Sequence, residues 1–412
     1  MYTKINTSRG RPIMDNPEHQ KIVDSLGAIA ESRRRFMRAV MAGAAMSAGG
    51  LMLPRLAQGV APEIAYPLGK KPIAGDIQGA IKFWLNELSH AAPDTGSDVK
   101  LTAAEKSELK AMKLTVGHTW YGLFVPAVAG WNRFWGAEVD QWAAKKVVYD
   151  VQGKPERDVA GVQLMLEQKV LIVGTLAVDW VVMSEAMRKL HAANVPSTSV
   201  ITPSSAYFPT TSTIMSDQVE NARSLVLPMA KRLRAEGVKE CEVVLLTAKS
   251  PAFYDVTRNK GFYEGIKSDE VQQLCKMKVV AERPVATGTQ DAQAATSAIL
   301  QQFPKVKVIA ALGHWFAGAS AAIRDAGRKD VFVIAFDLDQ ATAADLLTGG
   351  WPVNVTYSLP IAQSSHADAA IMGKILLGKK VPLLVKTIGT TTTSENVAEA
   401  WAHDWNGEKP TF

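Results

Sequence analysis

The residues best placed to do chemistry stand where short apolar runs end. VKVIAALG runs into His314, Trp315 and Phe316, and VFVIAF runs into Asp337, with Leu338 and Asp339 behind it. KLTVGHT, which holds His118, leads to Trp120 and Tyr121, with Phe124, Trp131, Phe134 and Trp135 soon after. Aromatic faces stack on the C–H faces of small ligands, and Trp N–H and Tyr O–H add hydrogen bonds. On that ground His118, Trp120, Tyr121 and Phe124 are expected at a ligand, while Phe134 and Trp135 are expected in a helix core. A carboxylate directly after an apolar strand is costly to bury alone. Asp337 must therefore face a cleft or cap the next helix. His314 is either a hydrogen-bonded structural histidine or a ligand-facing one, and Trp315 belongs to the same strand end.

Motifs for covalent chemistry are missing. No GxGxxG follows the first strand, and no GxxxxGK[ST] or HExxH occurs. Gly318-Ala319-Ser320-Ala321-Ala322 lacks the final glycine of a nucleophile elbow. The seven histidines include no pair spaced three or four apart, as a helical metal site would need. Neither a cofactor, a metal nor an enzymatic activity is expected.

The elements that must position these residues alternate. From Lys113 onward, continuous apolar strands alternate with amphipathic helices, the pattern of parallel sheets covered on both faces. The alternation stops and restarts near Ser216-Asp217. Two doubly wound α/β lobes joined by a hinge follow more naturally than one sheet. Ligands bind such folds beyond the carboxyl ends of the strands, where the residues above stand. Ahead of this body, residues 62–111 form an extension with two short helices. The second opens with Thr102 and Glu105, a capping box.

The charge lies mainly at one end. Of the formal +6, residues 1–61 carry nine basic and four acidic side chains, and the remainder is nearly balanced. The body has no bulk attraction for nucleic acid. Cys241 and Cys275 stand near the starts of adjacent predicted strands, either as free thiols or as a disulfide. Arg33, Arg34, Arg35 and Phe36 precede an apolar run at 39–53, too short and too rich in Gly and Ala for a membrane span. This leader resembles a twin-arginine export signal, with cleavage near 59–61. The resemblance implies passage through the twin-arginine (Tat) translocase to the periplasm.

Further motifs resemble the type I periplasmic binding proteins, in the ribose-binding-like branch that serves sugar ABC importers. They are Asp150, Pro155 and Gln168 around the second strand, Ser216-Asp217 at a hinge, Arg258-x-x-Gly261-Phe262, and AGRKDVFVIAFD ending at Asp337. The resemblance covers about 113–395. It implies that Arg258 donates to ligand hydroxyls, that Asp337 accepts from them, and that Ser358 stands where the family has a hinge Gln. Read from the residues alone, the alternative for Arg258 is a surface ion pair. Paired phenylalanines after the first strand are absent, and Thr202-Pro203-Ser204 replaces an Asp-Arg pair. The implied domains are a Tat signal peptide at 1–61, the extension at 62–111, an N-lobe of 112–215 with 359–384, and a C-lobe of 216–358 with 385–412. The implied function is monomeric capture of a small sugar-like ligand for an ABC permease. A ligand-sensing module for a membrane receptor or kinase shares every feature and stands as the alternative.

Overall fold

The computed structural model describes residues 77–92, 99–205, 210–249, 252–286 and 288–407. The leader, with Arg33 and Arg34, lies outside these residues.

Two six-stranded sheets organise the chain. In spatial order the first holds 384–386, 212–215, 197–201, 173–175, 115–120 and 145–150, and the second 390–392, 353–358, 332–335, 306–311, 240–248 and 276–285. The N-lobe takes β1 (Thr115–Trp120), β2 (Lys145–Asp150), β3 (Val173–Thr175), β4 (Ser197–Ile201) and β5 (Ser212–Met215). The C-lobe takes β6 (Glu240–Ala248), β7 (Lys276–Val285), β8 (Val306–Ala311), β9 (Phe332–Ala335) and β10 (Val353–Ser358). The chain then returns, giving β11 (Leu384–Lys386) to the first sheet and β12 (Thr390–Thr392) to the second. It therefore crosses between lobes three times, after Met215, after Ser358 and at 387–389. A boundary at 384 would cut through β11. All strand pairs are parallel except β10 with β12. β10 runs into the second crossing and β12 runs out of the third, so the two point in opposite directions.

The helices follow from their patterning. In the described chain order they are α1 (Ile77–His90), α2 (Ala103–Ala111), α3 (Pro126–Val139), α4 (Pro155–Glu167), α5 (Val182–Ala192), α6 (Gln218–Ser224) and α7 (Val226–Ala235). Then come α8 (Phe253–Ile266), α9 (Asp269–Leu274), α10 (Thr289–Gln302), α11 (Phe316–Asp325), α12 (Gln340–Leu347), α13 (Ile361–Leu376) and α14 (Val397–Asp404). The capping box on α2 forms as expected, with Glu105 N–H donating to Thr102 and Thr102 N–H to Glu105. Pro126 and Pro155 open α3 and α4 at the first turn, where a missing N–H costs nothing. α8 ends at Ile266, and α9 starts at Asp269 after a break at Lys267 and Ser268.

Three structural points bear on the site. α13 returns to the N-lobe and packs on α3, with Trp135 Nε1 donating to Met372 Sδ and Ser365 Oγ to the Trp131 carbonyl. α1 buries Ala80, Ile81, Trp84 and Leu88 against Trp180, Met215, Phe253 and Leu384, a cluster that draws on both lobes. Cys241 and Cys275 are free buried thiols with sulfurs 3.9 Å apart.

Candidate functional site

A cavity of about 460 Å³, mouth included, opens between the strand ends of the two sheets. From the N-lobe it takes Tyr121, Val125, Val128, Trp131, Leu176, Ala177, Ile201 and Thr202, with Leu359 from the second crossing. From the C-lobe it takes Tyr254, Arg258, Gly313, His314 and Asp337.

Arg258 is held by the helix that carries it. α8 lies so close to α6 that a Cβ on Gly261 would sit 1.9 Å from the Val219 carbonyl oxygen. That approach brings Gln218 to Arg258, whose Nε donates to Gln218 Oε1 at 2.7 Å and whose Nη1 donates to the Leu312 carbonyl at 2.8 Å. Gln218 in turn donates to Ser216 Oγ at the first crossing. The guanidinium lies 3.5 Å above the centre of the Phe336 ring, an attractive placement for a cation. Nη2 has no acceptor among the described residues. Burial pulls the guanidinium pKa down to about 10, opposed by the Asp337 charge, so it stays cationic. The surface ion pair that the sequence left open does not form, because Arg258 is buried.

Asp337 follows β9 with φ of +83°, outside the region most residues adopt. Its N–H donates to the Tyr357 carbonyl, and its carbonyl accepts from Thr356 Oγ1. These bonds fix the backbone and leave Oδ1 buried without a partner. Burial pushes its carboxyl up to about 6, with Arg258 pulling the other way and Asp339 adding to the rise. The helix-cap alternative belongs to Asp339, which accepts from Thr342 N–H at the start of α12. Ile201, at the end of β4, also has a positive φ, +74°, which is rare for a β-branched residue. Both residues line the cavity, and strained backbone of this kind collects at functional sites.

His314 faces Tyr121 across the cleft, ring centres 5.5 Å apart. Burial, then Arg258, pulls its pKa down to about 4, so it is neutral at pH 7. Its Nε2 is buried without a partner. Burial raises the phenols of Tyr121 and Tyr254 above their ordinary value, and the two groups interact. Asp158 on α4 accepts from the N–H groups of Val178 and Asp179 and so holds the loop that presents Leu176 and Ala177.

Of the residues singled out in the sequence, Tyr121, Arg258, His314 and Asp337 come together here. His118, Trp120, Phe124, Trp315 and Ser358 do not line this cavity. β1 runs through Trp120, so His118 and Trp120 share one face of a strand. Their rings stack 3.6 Å apart under Trp135, and His118 Nε2 lies 3.5 Å from Asp368 on α13. Both side chains are core. Trp315 is buried against Gly313. Ser358 is buried and donates to Asp404. Phe124 is half exposed, its ring 6.2 Å from that of His314, beside the cavity and not in its wall. Tyr254 and Trp131 also line the cavity, and neither was expected at a ligand. Tyr254 is legible as the residue four before Arg258 on one helix face.

The arrangement can bind a small polar molecule. Opposed charges, a neutral histidine and phenols offer donors and acceptors to a small molecule, and among the described residues no cluster of three or more metal-type side chains occurs. A family model described as a periplasmic binding protein domain matches residues 122–380, more than half of the chain. The D-apiose import binding protein of Actinobacillus succinogenes is 31% identical over 166 residues, 40% of this chain and 51% of that protein. The D-apiose import binding protein of Paraburkholderia graminis is 31% identical over 153 residues, 37% of this chain and 46% of that protein. The chain thus spans about half the length of the curated relatives it matches. Among solved structures, the Caulobacter myo-inositol binding protein superposes with a TM-score of 0.60 at 21% identity, over 70% of this chain and 95% of that one, a likeness of fold.

Proposed function

Because the chain belongs to the periplasmic binding protein domain family, we propose that it is a solute-binding protein for a sugar or polyol, not an enzyme. It captures the ligand between its lobes as a monomer and delivers it to an ABC permease in the membrane. Export through the twin-arginine translocase, directed by Arg33 and Arg34, places it in the periplasm. The observation that carries this reading is the cavity between the strand ends, with Arg258 Nη2 and Asp337 Oδ1 uncommitted inside it. Buried polar atoms are ordinarily paired, so Asp337 Oδ1 is suited to a partner that arrives from solution, with Arg258 on the same wall to donate. Arg258 donates to ligand oxygens, Asp337 accepts from hydroxyls, and lobe closure excludes water.

The test is a thermal-shift and calorimetric screen of the purified protein against pentoses, including D-apiose, hexoses and polyols. A ligand at a hundred times its Kd stabilises the native state by about 2.7 kcal/mol, a readily visible shift. Arg258→Ala and Asp337→Asn should each weaken a hit by roughly 10- to 100-fold, the range for a hydrogen bond to a charged group. Affinity retained in both variants would reject the site.

A further inference from the structure

We infer that the ligand is a neutral polyol bearing an alkyl or deoxy face opposite its hydroxyls, and that its fully hydroxylated counterpart binds more weakly. This rests on the solute-binding reading above and narrows it. The two walls of the cavity differ in kind. Both charged lining residues, Arg258 and Asp337, come from the C-lobe, as do His314 and Tyr254. The facing wall is built from Val125, Val128, Leu176, Ala177 and Ile201, all buried, with Leu359 beside them. Its polar atoms are few. Among side chains they are the Thr202 hydroxyl, the Trp131 Nε1, buried and unpartnered, and the Tyr121 hydroxyl, which interacts with Tyr254.

Charge argues for neutrality. One guanidinium and one carboxylate share the C-lobe wall, so an anion would meet Asp337 and a cation would meet Arg258. Paired hydroxyls, each donor and acceptor, suit both. Desolvation argues for the apolar face. A ring with hydroxyls on every edge would press some of them onto aliphatic side chains that cannot replace their water. A methyl group, or an edge of bare C–H bonds, gains from the same contact. Trp131 offers one N–H and a broad ring on that side, which fits a ring oxygen or ether beside a hydrocarbon surface.

Calorimetry on matched pairs tests this: galactose against 6-deoxygalactose, mannose against 6-deoxymannose, and myo-inositol against its O-methyl ethers. The deoxy or methylated member of the best-binding pair should be tighter by about tenfold, the worth of one buried hydrogen bond left unmade. Ile201→Asn places an amide in the apolar wall. Asn also tolerates the left-handed backbone found there, so the variant is compatible with the fold. In it the preference should shrink or reverse. If the fully hydroxylated member binds as well or better in every pair, the inference fails while the solute-binding reading stands. A preference that Ile201→Asn leaves unchanged also overturns the inference. If no sugar or polyol of either kind binds, the solute-binding reading falls and takes the inference with it.

Discussion

Burial lifts the Asp337 carboxyl from its ordinary value of 3.8 to about 6, against the pull of the Arg258 charge. To accept from a ligand hydroxyl through both oxygens it must be ionised. Affinity should therefore fall as pH drops through about 6, approaching tenfold per pH unit well below it. Its effect on stability runs the other way. Between about pH 4 and 6 the folded protein holds this proton and the unfolded chain has released it, so stability from this group falls as pH rises. Calorimetric Kd values from pH 7.5 to 5 in wild type and Asp337→Asn check this; the variant should be weak throughout and flat. His314, at about 4, stays neutral over that range and cannot produce the same curve. Arg258 and Asp337 were legible in the sequence because a charge among apolar residues demands a structural reason. His118 and Trp120 misled because strand side chains alternate. β1 extends one residue further than its pattern suggests, and the face shared by His118 and Trp120 is turned into the α3–α13 layer.

At the scale of elements, the alternation of apolar runs and helices gave away the two lobes, while the strands built from hydroxyls stayed hidden. β5 is buried, yet Thr210 and Thr213 bond to each other and to Ser199 of the neighbouring β4, so no apolar run announces it. β10 is likewise rich in polar residues, with Thr356 and Ser358 both hydrogen-bonded in the interior. The α6–α8 contact was legible only as a motif, Arg258-x-x-Gly261. Its physical content is a contact distance, which no sequence pattern expresses. Gly261→Ala must push α8 away from the Val219 carbonyl, because backbone cannot swing aside as a flexible side chain can. Overpacking of this kind costs about 1–3 kcal/mol. Since Gln218 adjoins Val219, the shift should also loosen its bond to Arg258 and weaken ligand binding. Gly136→Ala on α3 is the control, because its nearest neighbour is the tip of Lys146 at 3.2 Å. Thermal melts and Kd values should separate the two variants on both counts; equal behaviour would mean that the helix contact does not position Arg258.

For the whole molecule, capture and release require the lobes to move about the crossings after Met215, after Ser358 and at 387–389. These crossings are themselves tightly packed. A Cβ on Gly389 would lie 1.9 Å from the Ser358 carbonyl, and Gly389 N–H donates to the Tyr357 hydroxyl. α1 adds a further link. Trp180 of the N-lobe meets Phe253 of the C-lobe edge to face at 5.4 Å, in a cluster completed by Trp84. Any rotation that parts Trp180 from Phe253 must break this cluster, so its burial favours the present arrangement of the lobes over a parted one. Trp84 is fully buried there, and truncating a buried aromatic side chain to Ala costs about 3–5 kcal/mol. α1 is a peripheral element, so part of that loss should appear as undocking of the helix and not as global unfolding. Trp84→Ala should then bind the same ligand more weakly, chiefly through faster dissociation. Its ligand-free form should show a larger radius of gyration by small-angle X-ray scattering, because the population with separated lobes rises. A variant that melts lower yet keeps the wild-type dissociation rate and radius would show that α1 supports the fold without biasing the lobes.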